Sequence, residues 1–221
     1  MIVLSKENAL LQVSELTKQH PLLSITESNN SFIRLRGEID VYRTAFNYTL
    51  DRSYHVEIVI PINSSELPIV KDLDGIIDSS YPHRYGNGEL CLETDSAIRW
   101  HFLDGFHLEE WVKEYVEPYF FSYEYYSRFG IFPFGERPHG LEGILDTYSD
   151  MLHVADRKQI ASLLKFCAYN RYRGHVICPC GSGIKLRKCH GKIVFPLMTD
   201  QRKIDIIRLD IESIRKAITQ K

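Results

Sequence analysis

Two stretches of strict alternation set the first limit on the fold. Ile33, Leu35, Ile39 and Val41 are interleaved with Arg34, Arg36, Glu38 and Asp40, and Tyr54, Val56, Ile58 and Ile60 repeat the pattern until Pro61 stops it. A period of two gives each strand one apolar and one polar face, so these stretches belong to a sheet buried on one side. A shorter run at Leu67 to Val70 predicts a third strand, where Pro68 favours an edge or an irregular start. Spacings this short between strands favour an antiparallel meander.

Helical periodicity brackets the meander. Residues 5–20 offer Ser5 as an N-cap, Ala9, Val13 and Leu16 at helical spacing, and Pro21 as a stop. Leu108, Trp111, Val112, Tyr115 and Val116 share one helix face, which Pro118 is expected to kink or end. The stretch 119–134, YFFSYEYYSRFGIFPF, reads either as packed aromatic core or as a partner-binding surface. Ile160, Leu163, Leu164 and Cys167 form another helical stripe, in which Cys167 is a core residue. Isoleucines 204, 207, 211, 214 and 218 mark a final helix with Asp and Arg on its other faces, packed on the main domain or on a second copy. With 221 residues, 44% of them hydrophobic, the chain can bury one sizeable core and carry an appendage. A net charge of −2 argues against bulk capture of nucleic acid. No stretch reaches the roughly 20 apolar residues of a membrane span and the start has no basic leader, so a soluble, cytoplasmic protein without membrane contact is expected.

Five cysteines is an odd number, and three of them crowd into CPCGSGIKLRKCHG, which suits metal ligation in a reducing compartment better than a disulfide framework. Cys178, Cys180, Cys189 and His190 supply three thiolates and an imidazole, a full tetrahedral set for zinc, and Gly181 and Gly183 permit the positive φ of such a turn. With all four positions filled, a structural role follows. The stretch closely resembles the SEC-C zinc motif. Lys185, Arg187, Lys188 and Lys192 make it basic. That is either a solvated face or, as the resemblance implies, a docking element for acidic or ribosomal partners.

Cys91 stands apart, in YPHRYGNGELCLE, and is either a core filler or a nucleophile. An N-terminal helix, a meander, an irregular proline-containing stretch, Asn87-Gly88 shortly before Leu90-Cys91-Leu92, and Trp100 soon after together resemble the ubiquitin-conjugating enzyme (UBC) family. Tyr81, Pro82 and His83 stand where that family has His-Pro-Asn, so the family's asparagine is replaced by His83. The resemblance covers roughly residues 5 to 130, and with the zinc motif it points to bacterial UBC-like proteins of antiphage (CBASS-type) defence. It implies an α+β, UBC-like fold: an N-terminal helix, an antiparallel meander sheet and C-terminal helices, with a small zinc hairpin and a final helix appended. The implied division is 1–172, the UBC-like domain with a helical extension, and 173–221, the SEC-C motif with the last helix.

The implied chemistry is a thioester on Cys91, passed to a target lysine. A thiolate both attacks and leaves readily, His83 is placed to stabilise an oxyanion, and Glu93 and Asp95 are candidates to deprotonate the amine. His139 is a further residue that could approach the site. The donor implied is a protein with a C-terminal glycine, in the antiphage cassettes a cGAS-like nucleotidyltransferase. Two alternatives stay open: a catalytically silent UBC-like scaffold that binds a ubiquitin-like or nucleotidyltransferase partner, and a Cys-His hydrolase in which His83 activates Cys91.

Overall fold

The alternating stretches are neighbouring strands of one antiparallel sheet in the computed structural model, which describes residues 2–136 and 138–219. The strands β1 (Ser24–Ser28), β2 (Phe32–Ala45), β3 (Tyr48–Pro61) and β4 (Ile69–Asp72) lie in chain order. β2 and β3 pair without interruption from Phe32 opposite Pro61 to Ala45 opposite Tyr48. The turn between them places Phe46 and Asn47 at positive φ, the geometry that follows the twist of paired strands. Ile33, Leu35, Ile39, Tyr54, Val56, Ile58 and Ile60 are fully buried. On the opposite face Arg36 binds the Glu57 carboxylate at 2.6 Å. Gly37, in the middle of β2, is required: a Cβ there would lie 1.9 Å from the Leu22 carbonyl oxygen. The edge strand β1 carries no burial pattern and is held by its backbone ladder to β2.

Ser5 caps α1 (Lys6–Gln19) by accepting from the Asn8 N–H, and the helix buries Ala9, Val13 and Leu16. The Gln12 side chain donates to the Phe106 carbonyl at 2.9 Å and accepts from the Leu108 N–H at 2.7 Å, which fixes the start of α3 (Leu108–Trp111). The helical run does not end at Pro118. It widens into a π turn over Val112–Val116 and continues as α4 (Glu117–Phe129). The Glu117 N–H reaches back to the Val112 carbonyl, and Pro118, which has no N–H to give, sits in the first turn of α4, where none is needed. α4 lies across β2 and β3, with the Phe120 ring stacked on Tyr54 at 4.0 Å. Tyr119, Phe120 and Phe121 are core residues, while Phe129, Ile131 and Phe134 stay exposed.

These elements make one compact unit, Ile2–Glu93 with Asp104–Glu136. A second consists of Thr94–Leu103 and the described residues after Glu136. It contains α2 (Asp95–His101), α5 (Gly140–Leu152), α6 (Arg157–Tyr169), α7 (Gly191–Met198) and α8 (Gln201–Thr219). Tyr148, Leu152, Leu163, Leu164, Leu186, Val194 and Ile207 are the middle of its core. Cys167 is 1% exposed within that core, and burial pushes its thiol up to about 12. Cys178, Cys180 and Leu186 belong to the same core, so the position 172/173 falls inside this unit. Of the expected stripe α8 buries Ile207 and Ile211, while Ile204 and Ile214 are half-buried and Ile218 is exposed; Ile206 is buried in addition, and so is Asp210, an acid expected on an outer face. Among the described residues no helix is long and apolar enough to cross a membrane.

Candidate functional site

The segment from Tyr81 to Cys91 folds back on itself within the sheet unit. The Tyr85 N–H donates to the Glu89 carbonyl at 2.8 Å and the Gly88 N–H to the Tyr85 carbonyl at 2.9 Å, with Gly88 at φ +85° closing the turn. The Leu90 N–H then bonds the Val70 carbonyl of β4 at 2.9 Å, and the Cys91 N–H bonds the His83 carbonyl at 2.8 Å. The turn therefore brings His83 and Cys91 together. A ring nitrogen of His83 lies within 4.8 Å of Cys91 Sγ. The His83 ring packs against Tyr81 at 5.4 Å and Phe132 at 5.1 Å, and Tyr81 is itself enclosed by Tyr119, Tyr123 and Tyr126.

Cys91 is 8% exposed and Leu90 beside it is buried as well. Glu93, half-buried, ends this stretch of the sheet unit. Asp95 and His139 belong to the helical unit. Asp95 occupies the first turn of α2, where its carboxylate suits the helix N-terminus and bonds Arg99 at 3.0 Å, which gives it a local structural role. His139 is the exposed N-cap of α5.

The cysteine cluster is built on a narrow loop in the helical unit. Ile177 bridges Lys185, the Cys178 N–H bonds the Ile184 carbonyl, and the Leu186 N–H bonds the Val176 carbonyl. Gly181 and Gly183 take φ of +83° and +74°, as the turn was expected to need. A single 3₁₀ turn, Leu186–Lys188, then delivers Cys189 and His190 at the start of α7. The four ligand atoms lie within 4.8 Å of one another. Cys180 Sγ is 3.6 Å from Cys189 Sγ, and His190 Nδ1 is 3.3 Å from Cys178 Sγ and 3.2 Å from Cys189 Sγ. A tetrahedral zinc shell needs about 3.8 Å between sulfurs and about 3.5 Å between sulfur and nitrogen, so these three separations are within a few tenths of an ångström of that shell. Burial pushes the Cys178 thiol up. Cys180 is desolvated too, yet bonds from Ser182 and the neighbouring thiols bring it down to about 6.

Three participants escaped the sequence. Tyr119 donates its hydroxyl to the His83 carbonyl at 3.0 Å, Ser182 Oγ lies 3.5 Å from Cys189 Sγ, and Asp210 takes hydroxyl bonds from Ser96 and Tyr148. Ser182 was findable, since it lies inside the ligand loop. The other two meet partners distant in the chain, and no spacing reveals them.

The SEC-C motif, a zinc-binding motif, matches residues 177–192. No curated protein and no solved structure matches the chain significantly.

Proposed function

We propose that this chain is a zinc-stabilised, UBC-like acyl carrier, with Cys91 as the thiol that takes a protein C-terminus and passes it to a lysine. The observation that carries the reading is the bond from the Cys91 N–H to the His83 carbonyl, which sets the residue at the family's tripeptide position against the cysteine. The element order, α1, a four-stranded meander, the cysteine turn, then helices, supports it.

In the loading step Cys91 Sγ gives up its proton and forms a bond to the carbonyl carbon of an activated C-terminus, an acyl adenylate or another thioester, whose leaving group departs. In transfer a neutral lysine amine attacks that carbon, the C–S bond breaks, and the amine proton passes to a base. His83 is near enough to stabilise the tetrahedral oxyanion, and Glu93, two residues after Cys91 in the same unit, is the candidate base. Cys178, Cys180, Cys189 and His190 would hold zinc, which when bound supplies a cross-link and no open position for water.

Loading and transfer can be followed on gels with a candidate donor ending in glycine, starting with a cGAS-like nucleotidyltransferase. A thiol-sensitive adduct is expected with the native chain and none with Cys91→Ala, and His83→Ala should slow transfer by roughly 10²–10³, as for a lost oxyanion donor. The 8% exposure of Cys91 favours one other reading, a scaffold that binds such a partner without reacting. Stable binding without any thiol-sensitive adduct would select it.

A further inference from the structure

A thiol that accepts a protein tail must be reached by it, yet Cys91 is covered. The turn that carries Cys91 is held by hydrogen bonds to its own backbone and to α4. The His83 carbonyl is shared: one bond comes from the Cys91 N–H at 2.8 Å, the other from the Tyr119 hydroxyl at 3.0 Å. The first bond closes the turn on itself, and the second ties it to α4. Tyr119 is 5% exposed, and its phenol is pushed up first by burial, then by Tyr81 and by Cys91 close by. It stands just past Pro118, where the helix resumes α geometry after the π turn. π turns are rare and gather at functional places. This one sets the helical phase that carries Tyr119 to the His83 carbonyl.

We propose that the Tyr119 hydroxyl on the His83 carbonyl is a latch that keeps the Cys91 turn closed, and that its release uncovers the thiol. Tyr119 is thus a positioning residue, acting on Cys91 through the backbone of His83. The latch regulates the site on which the acyl-carrier reading rests, but its own test needs no donor protein.

The test is the rate at which iodoacetamide alkylates Cys91 in the full chain, read by mass spectrometry beside the rate at Cys167. Tyr119→Phe keeps the ring and removes only the hydroxyl. Losing one hydrogen bond that holds a local opening shut should raise Cys91 labelling about tenfold, while Cys167, 1% exposed in the helical core, stays as slow as before. Hydrogen exchange adds a readout that does not depend on the thiol: the Cys91 amide should lose protection while those of β2 and β3 keep theirs. Equal rises at both cysteines, or protection lost across β2 and β3, would mean general loosening and overturn the latch. Unchanged labelling of Cys91 would overturn it too. If the latch is found but no thioester forms, the acyl-carrier reading alone fails, and an adduct with unchanged labelling removes the latch alone.

Discussion

Asp210 shows what one buried acid costs and controls. It is 1% exposed, its Oδ2 accepts from Tyr148 at 2.6 Å and from Ser96 at 2.7 Å, and Oδ1 has no hydrogen-bond partner among the described residues. Desolvation raises its pKa, against the opposing effects of the two hydroxyls and Arg99, and Asp95 adds to the rise. Because the folded form holds its proton more tightly than the unfolded chain, the contribution of Asp210 is full below its ordinary value of 3.8 and is lost as pH rises through the raised folded value. Urea unfolding across the acid to neutral range should therefore show stability of the helical unit falling with pH, and Asp210→Asn should flatten that slope. Tyr148→Phe, which leaves the carboxyl one donor short, should cost about 1–3 kcal/mol. None of this was legible in advance, because an aspartate beside an apolar stripe reads as a solvent-facing residue and Ser96 lies 114 positions away. The cluster of Cys178, Cys180, Cys189 and His190 was legible because its meaning as a candidate metal site lies in local spacing.

Among the elements, the cysteine loop and α7 behave as one. His190 ends the ligand set and also receives the first hydrogen bonds of α7, from Ile193 and Val194. Gly191 is needed at this junction, since a Cβ would lie 2.7 Å from the Leu186 carbonyl and 2.9 Å from the Tyr172 hydroxyl. Gly191→Ala should destabilise the helical unit by about 1–3 kcal/mol through overpacking, and a thermal melt of the metal-loaded chain would measure it. Chelation should do more than free a surface loop. Cys178, Cys180 and Leu186 are part of the core shared with α5, α6 and α8, so helical circular dichroism should fall with metal removal and return with added zinc. The long alternating strands and α1 were readable from pattern and cap. β1 was not, because all its residues are exposed and it depends on backbone pairing alone. The π turn was not either, for proline's usual effect is a kink or a stop, and here one widened turn absorbs it.

For the molecule as a whole, the expected stoichiometry is one zinc per 25.7 kDa chain, which elemental analysis checks directly; a folded, metal-free preparation would remove the zinc proposal. The helices and the meander were evident from periodicity and spacing, and the α+β class was implied by the family resemblance, but how the chain is shared between two cores was not evident. Sequence punctuation at residues 170–177 suggested one cut, whereas the chain passes from the first unit to the second at Thr94, returns at Asp104 and leaves again after Glu136. This weave has a consequence for synthesis on the ribosome. When β4 and the cysteine turn have emerged, the apolar side of the sheet still lacks α4, including the Phe120 ring that covers Tyr54. At ordinary elongation rates that exposure lasts about 2–9 s, until Glu136 is out. A nascent chain stalled with residues up to 103 outside the ribosome should therefore recruit chaperones and be cut readily by protease, and one with residue 136 also outside should escape both.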